Sequence, residues 1–452
     1  MASSAKSSSN NGRIERKIGP FTATFIVVAN MIGTGIFTTT GLMAAQLPGP
    51  NWVLLCWFVG GLIAMSGAVC YAELATRMPE EGGEYLYLKK LFHPLIGFLT
   101  GWISFIVGFS VPIAASAMAF TEYTFEGIGS FLTVGSGMLV VVKKGIAVVM
   151  ILLFTFLHYI GLRVGSRVQN ILTVIKIAIL FGLVAVGMTF GKGDLSSLSF
   201  NISRPSEGMA LGMAMMLVMF SYSGWNASSY IAGEIRKPRK TLPFSLIFGT
   251  LIVIVLYLAL NLFIFKSLSY EETQGTIAIV KLAATKSFSG WMGSVVGMIV
   301  GVGLLSSLSA FLMIGPRVYF AMSKDRLFFP FARKVHPKYR VPGRSILFQG
   351  GIAVFMVLIG SFEKLLVYIG FALNIFPWLA IAGIFLARRK HIGDGTAFKV
   401  WGYPFVPLFY LASSMVLMGI NYVNRPFEST AAVMTVLVGI PCYFLWIKKY
   451  KQ

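Results

Sequence analysis

The stretch Asn30-Met31-Ile32-Gly33-Thr34-Gly35-Ile36-Phe37 decides how this chain is read. It lies in the middle of an apolar run from Ile18 to Leu47. That run is long enough to cross a bilayer, for which about 20 apolar residues suffice. Its centre nevertheless holds two glycines around a threonine, and each glycine costs about 1 kcal/mol against alanine in a helix interior. One reading is that the helix opens here. Opened backbone at membrane depth is tolerated only where it faces protein or a cavity. The freed amides at the start of the next half-helix then suit an anionic group. The other reading is a close helix–helix contact through small residues.

Composition places the whole chain in the same setting. Of 452 residues, 56% are hydrophobic and only 12% charged, against about 25% charged in a soluble domain. A polytopic, all-α membrane protein follows. The apolar segments number twelve, at roughly 19–47, 52–72, 95–121, 144–160, 170–190, 208–232, 243–265, 291–316, 345–361, 364–387, 404–422 and 429–447. An even number returns both termini to one side. With that side inside, the tails and even-numbered loops hold 28 Lys and Arg, the odd-numbered loops 9, and Lys176 lies within a span. This is the positive-inside pattern. It sets both termini in the cytoplasm and accounts for the net charge of +22 without nucleic acid. Residues 1–18 are expected to be a disordered cytoplasmic tail ahead of an uncleaved first span, and 448–452 a second tail. The cysteines, Cys56, Cys70 and Cys442, all fall in apolar segments, so no loop disulfide is expected.

Several segments carry finer signals. Gly60, Ala64, Ala68 and Ala72 recur every fourth residue in the second span, as do Gly293, Gly297 and Gly301 in the eighth; both stripes suit close packing. Pro112 predicts a kink in the third span. Residues 277–288 suggest a short surface helix over the outer mouth. The basic stretch 317–344, with Phe328, Phe329 and Phe331, suggests an interfacial segment against anionic lipid.

The sixth span repeats the opening theme, being interrupted at Ser221-Tyr222-Ser223-Gly224-Trp225-Asn226. Gly33 and Gly224 are five spans apart, an odd offset, so two five-span halves would be inverted relative to the membrane. Paired interrupted helices in corresponding positions of two halves point to a transporter site.

These residues resemble the APC (amino acid–polyamine–organocation) superfamily, and within it the bacterial amino-acid permeases and the L-type amino acid transporters. The likeness rests on Ile32-Gly33-Thr34-Gly35-Ile36-Phe37 and on Tyr71-Ala72-Glu73-Leu74 followed by Pro79 and Gly82-Gly83-Glu84-Tyr85. It continues through Tyr222-Ser223-Gly224-Trp225-Asn226, then Gly233-Glu234-Ile235, and Arg317-Val318-Tyr319-Phe320-Ala321-Met322. The resemblance implies a LeuT-like fold with broken helices 1 and 6. Its two inverted five-helix repeats would span 19–190 and 208–387, and helices 11 and 12 would span 404–447. It further implies a secondary transporter of neutral amino acids, working by exchange or proton coupling, without cofactor or metal. Mammalian L-type transporters carry a cysteine between the third and fourth spans that joins a heavy chain. Residues 122–144 hold none, so no disulfide-linked partner is expected.

The resemblance also implies the site. Gly33, Thr34 and Gly35 would offer amides to the substrate carboxylate. Ile32 and the backbone around Phe220, Ser221 and Ser223 would offer carbonyls to its ammonium. Phe220 matches an aromatic lid, with lipid or core packing as the alternative. Gly224 and Asn226 line the second break, and Asn226 is expected to bond backbone or water, since an unpaired amide in lipid is costly. Lys176 would reach the first break and a hydroxyl, best matched by Ser307 with Ser306 and Ser309 beside it. A fixed ammonium there would stand where sodium-coupled relatives hold sodium. The alternative is a snorkelling side chain.

Absences narrow the chemistry. The first, third, sixth, eighth and tenth spans hold no Asp or Glu within them, and Glu73, Glu122 and Glu234 stand at span ends. A neutral pocket is therefore expected, against a cationic or polyamine substrate, which would want a buried carboxylate. The sequence shows no nucleophile–base pair, phosphate loop or metal-ligand spacing, so no enzyme is expected. A sensor that binds an amino acid without moving it remains the second functional class.

Overall fold

The computed structural model describes residues 16–128, 136–190, 208–288, 290–359, 362–393 and 395–450. Among them the regular structure is helical, apart from an isolated parallel bridge between Ile18 and Ile235. The glycosylation sequence Asn201-Ile202-Ser203, residues 1–15 of the first tail and residues 451–452 of the second lie outside the described residues.

The first span is two helices, α1 (Pro20–Met31) and α2 (Gly35–Ala44), separated at Ile32-Gly33-Thr34. The second span is α3 (Pro50–Arg77). A short helix, α4 (Glu84–Leu91), lies between the second and third spans. The third span runs as α5 (Pro94–Ile103), one π turn over Ser104–Gly108 and α6 (Ser110–Ile128). The bend expected at Pro112 therefore begins a turn earlier. Proline has no N–H and crowds the carbonyl a turn before it, and here that preceding turn is the widened one.

Next come α7 (Ser136–Tyr159), α8 (Leu162–Phe190) and α9 (Gly208–Tyr222). After α9 the chain opens at Ser223–Asn226 and resumes as a 3₁₀ stretch, Ala227–Glu234. The chain continues as α10 (Pro238–Ser267), the capped turn α11 (Tyr270–Thr273) and α12 (Ile279–Ser287). The last helices are α13 (Gly290–Lys324), α14 (Gly343–Ile359), α15 (Phe362–Arg389), α16 (Phe405–Asn424) and α17 (Pro426–Tyr450). Nine spans among the described residues are long and apolar enough to cross a membrane. The chain is a multi-pass membrane protein.

Three expectations change. α13 continues through Pro316, because burial of Val318, Tyr319 and Met322 holds its last turns. α12 is not only a surface helix: it buries Ile279, Val280, Ala283 and Ala284 against α10 and α13. The rings of 328–331 do not simply face lipid. Phe328 and Phe331 stack or abut Phe105, Tyr319, Phe348 and Trp446 at centroid distances of 5.2–6.5 Å. Arg317 in the same basic stretch is buried on Glu234.

The glycine stripes do pack. A Cβ at Gly60 would meet Tyr222 at 3.5 Å, and one at Gly301 would meet the Phe120 carbonyl at 3.4 Å. The carboxylates at span ends are paired. Arg388 holds Glu73 through both oxygens at 2.9 and 2.7 Å, with Arg77 and the Val400 amide adding to it. Arg317 holds Glu234 at 2.7 and 3.2 Å, and Lys143 holds Glu122.

Candidate functional site: a cavity between two interrupted spans

The two breaks meet. α1 packs on the 3₁₀ stretch and α2 packs on α9, so the first half of each span faces the second half of the other. Two glycines permit the approach. A Cβ at Gly35 would collide with Ser221, whose Cα would lie only 2.8 Å away. Gly224 has φ +99°, a conformation that side chains disfavour, and a Cβ there would stand 2.9 Å from the Asn30 backbone. The two readings of the opening stretch are thus both present. Gly35 makes the close contact, while a Cβ at Gly33 would meet nothing within 4 Å.

Gly33 lines a cavity of about 130 Å³ between the breaks. Thr34, Gly35, Phe220, Ser221, Ser223, Gly224 and Asn226 line it too, joined by Asn30 of α1 and by Glu84, Ser116, Phe311, Asn374 and Tyr410 from five other parts of the chain. Ile32 does not line it. A second cavity of about 280 Å³, bordered by Thr38, Met216, Met418 and Asn421, shares Met219, Phe220 and Asn374 with the first. These three residues form the partition, and Phe220 is its aromatic member.

Two opened carbonyls at the first break have donors. Met31 O accepts the Gly33 amide at 2.8 Å and the Tyr257 hydroxyl at 2.6 Å. Ile32 O accepts Lys176 Nζ at 2.6 Å and Ser307 Oγ at 2.8 Å, and the lysine also donates to Ser307 Oγ at 2.8 Å. Lys176 is 2% exposed, so its ammonium is enclosed between α1, α8 and α13 and does not reach for the surface. Ser306 bonds Thr173 and Ser309 bonds His158, leaving Ser307 as the lysine's hydroxyl. Two expectations are corrected. The Ile32 carbonyl is occupied by side chains, and the Gly33 amide is spent on Met31. The amides of Thr34, Gly35 and Ile36 remain at the helix start, where the first N–H groups lack partners a turn earlier.

The second break is held differently. The Ser221 carbonyl accepts from the same Tyr257 hydroxyl at 3.0 Å, so this phenol serves both breaks. Asn226 donates to Glu84 Oε1 at 2.6 Å rather than to backbone. Trp225 packs edge-on to Tyr71 and Tyr410.

Glu84 corrects the expectation of a neutral pocket. It belongs to no span, which is why a count of charges within spans passes over it, yet α4 delivers it to the cavity wall at 5% exposure. Tyr257, Asn30 and Asn374 were also missed. A buried polar residue mid-helix carried a signal at each, but no periodicity says which helix face meets the breaks.

A helical chain whose two opened spans face each other around a small cavity is built as a membrane permease. The family model described as amino acid permease matches residues 18–446, and the chain belongs to that family. It is 30% identical to the serine/threonine exchanger SteT of Bacillus subtilis (strain 168), over 96% of this chain and 97% of that protein. It is 26% identical to the mouse b(0,+)-type amino acid transporter 1, over 96% and 88% of the two chains. The mouse large neutral amino acids transporter small subunit 2 is also 26% identical, over 98% and 83%.

Proposed function

We propose that this permease moves small neutral amino acids across the cytoplasmic membrane by alternating access, independently of sodium and by exchange. The enclosed Lys176 ammonium, bonded to Ile32 O and Ser307 Oγ, is the observation that carries this reading. The Lys176 amine already donates to the carbonyl that a metal cation would otherwise be needed to satisfy. In this proposal the twelve helical segments span the bilayer as two inverted five-helix repeats plus two more helices, with both termini cytoplasmic. The substrate carboxylate sits on the amides of Thr34, Gly35 and Ile36. Its ammonium meets the Ser223 carbonyl and Asn30 Oδ1, the latter buried without a partner. Phe220 closes the cavity toward its neighbour. The chain works without a disulfide-linked heavy chain.

The cavity's size supports a small substrate, since about 130 Å³ is well below the ~300–1,000 Å³ of drug-sized sites. The similarity to a serine/threonine exchanger agrees with it. Glu84 is the observation that favours a second reading, a substrate with a cationic side chain. Uptake into proteoliposomes tests the proposal. Radiolabelled serine or threonine should enter vesicles preloaded with unlabelled amino acid, at equal rates in sodium and in choline. Amidated or N-acetylated analogues should not compete. Binding without uptake would indicate a sensor, and preference for arginine or a polyamine would favour the second reading.

A further inference from the structure

Three carboxylates stand out among the described buried residues: Glu73, Glu84 and Glu234. Two of them have arginine partners, Arg388 and Arg77 on Glu73 and Arg317 on Glu234. Glu84 has none. The Asn226 amide donates to it at 2.6 Å and lies 3.4 Å from the Tyr230 hydroxyl, and the Tyr71 and Tyr230 hydroxyls also face it as donors. The titratable groups that face it are phenols. Tyr71 comes from α3, Tyr87 from its own helix, Tyr230 from the 3₁₀ stretch and Tyr410 from α16. No basic side chain is among the groups acting on it. A charged carboxylate so placed is largely withdrawn from solvent and has no basic counter-ion among the described residues, which is costly unless the charge is removed or matched.

We propose that Glu84 is a proton-binding site linked to substrate binding, so that a neutral amino acid enters the cavity together with a proton on Glu84. The proposal rests on the transport reading above. A neutral side chain filling the cavity excludes the last water from the carboxylate and brings no positive charge. It therefore favours the protonated acid, which keeps an acceptor oxygen for Asn226 and gains a donor. The balance is one proton taken from solution onto a Glu84 oxygen, with no other bond made or broken. Even in the empty protein, burial pushes the Glu84 carboxyl up to about 7, so the linkage falls near neutrality. The sign follows from this. A substrate that raises the carboxyl further binds best below its empty-state value, and its affinity falls as pH rises above 7.

The test uses the purified full-length permease with serine or threonine as the probe. Affinity is measured by scintillation proximity from pH 5.5 to 8.5, and proton uptake by an indicator dye in weak buffer when saturating substrate is added near pH 7. The expected result is proton uptake by the wild type, and affinity that declines above pH 7 with a limiting slope of about tenfold per unit. Glu84→Gln should bind with a flat profile and no proton uptake. Glu84→Asp, which keeps the carboxylate, should retain the dependence. A flat wild-type profile without proton uptake, or a Glu84→Gln variant with the wild-type profile, overturns the proposal. Absence of any amino-acid binding at every pH instead overturns the transport reading, and this inference with it.

Discussion

The two interrupted spans are held by different groups, a lysine at one and a glutamate at the other. At the first break, Lys176 and Ser307 converge on the Ile32 carbonyl. At the second, Asn226 leads to the Glu84 carboxylate. The first arrangement is a latch on the backbone itself, and its charge is matched by carbonyl and hydroxyl oxygens. The second is a side-chain relay whose charge is matched only by neutral donors. The glycines differ in the same way: Gly33 leaves space, whereas Gly35 and Gly224 bring the two spans into contact. An opened membrane helix therefore needs two things, a donor for each freed carbonyl and room for a ligand, and different residues supply them.

The largest effect is expected at the latch. Lys176→Met should lower transport by more than tenfold, because a hydrogen bond to a charged group contributes ~1.5–3 kcal/mol and two are lost. Uptake rate per correctly folded molecule, judged by gel filtration, is the measurement. Activity near wild type would remove the functional difference between the breaks, and a wild type that requires sodium would remove the reason for it.

The glycine pair sharpens the comparison next. Gly33→Val should reach the membrane folded yet bind substrate about tenfold or more weakly, a loss of ~1.4 kcal/mol or more, since its side chain would enter the cavity. Gly35→Val should instead lower the yield of folded protein, because overpacking typically costs ~1–3 kcal/mol and Ser221 stands in the way. Expression and binding measured side by side distinguish the two. Equal behaviour would show that space and contact are not divided as described.

A smaller change is expected at the partition. Phe220→Ala joins the two cavities and should raise the half-saturation constant about three- to tenfold, on the scale of ~1 kcal/mol. Wild-type kinetics in that variant would assign the ring to packing. The smallest effect belongs to the hydroxyl shared by both breaks. Tyr257→Phe keeps the packing on Trp57 and deletes the one hydroxyl proton shared between Met31 O and Ser221 O, so transport should fall about two- to fivefold, as for a net loss of ~0.5–1 kcal/mol. A loss as large as that of Lys176→Met would make the phenol, not the lysine, the principal tie between the spans.

Sequence alone determined the membrane class, the position of both breaks and the residues beside them. Hydrophobic run length and interior glycines are local properties, and they act through backbone cost whatever the neighbours are. The approach of Lys176 to Ile32 entered through family resemblance, because nothing in the spacing of 32, 176 and 307 shows that they meet. The tertiary structure alone decided which groups at the breaks are already used. It placed the Ile32 carbonyl on side chains, the Gly33 amide on Met31 and the Tyr257 hydroxyl between the spans. It also carried Glu84 from a connecting helix into the cavity wall. A charge count made span by span treats connecting segments as solvated, and only the packing of α4 beneath the second break removes this carboxylate from water.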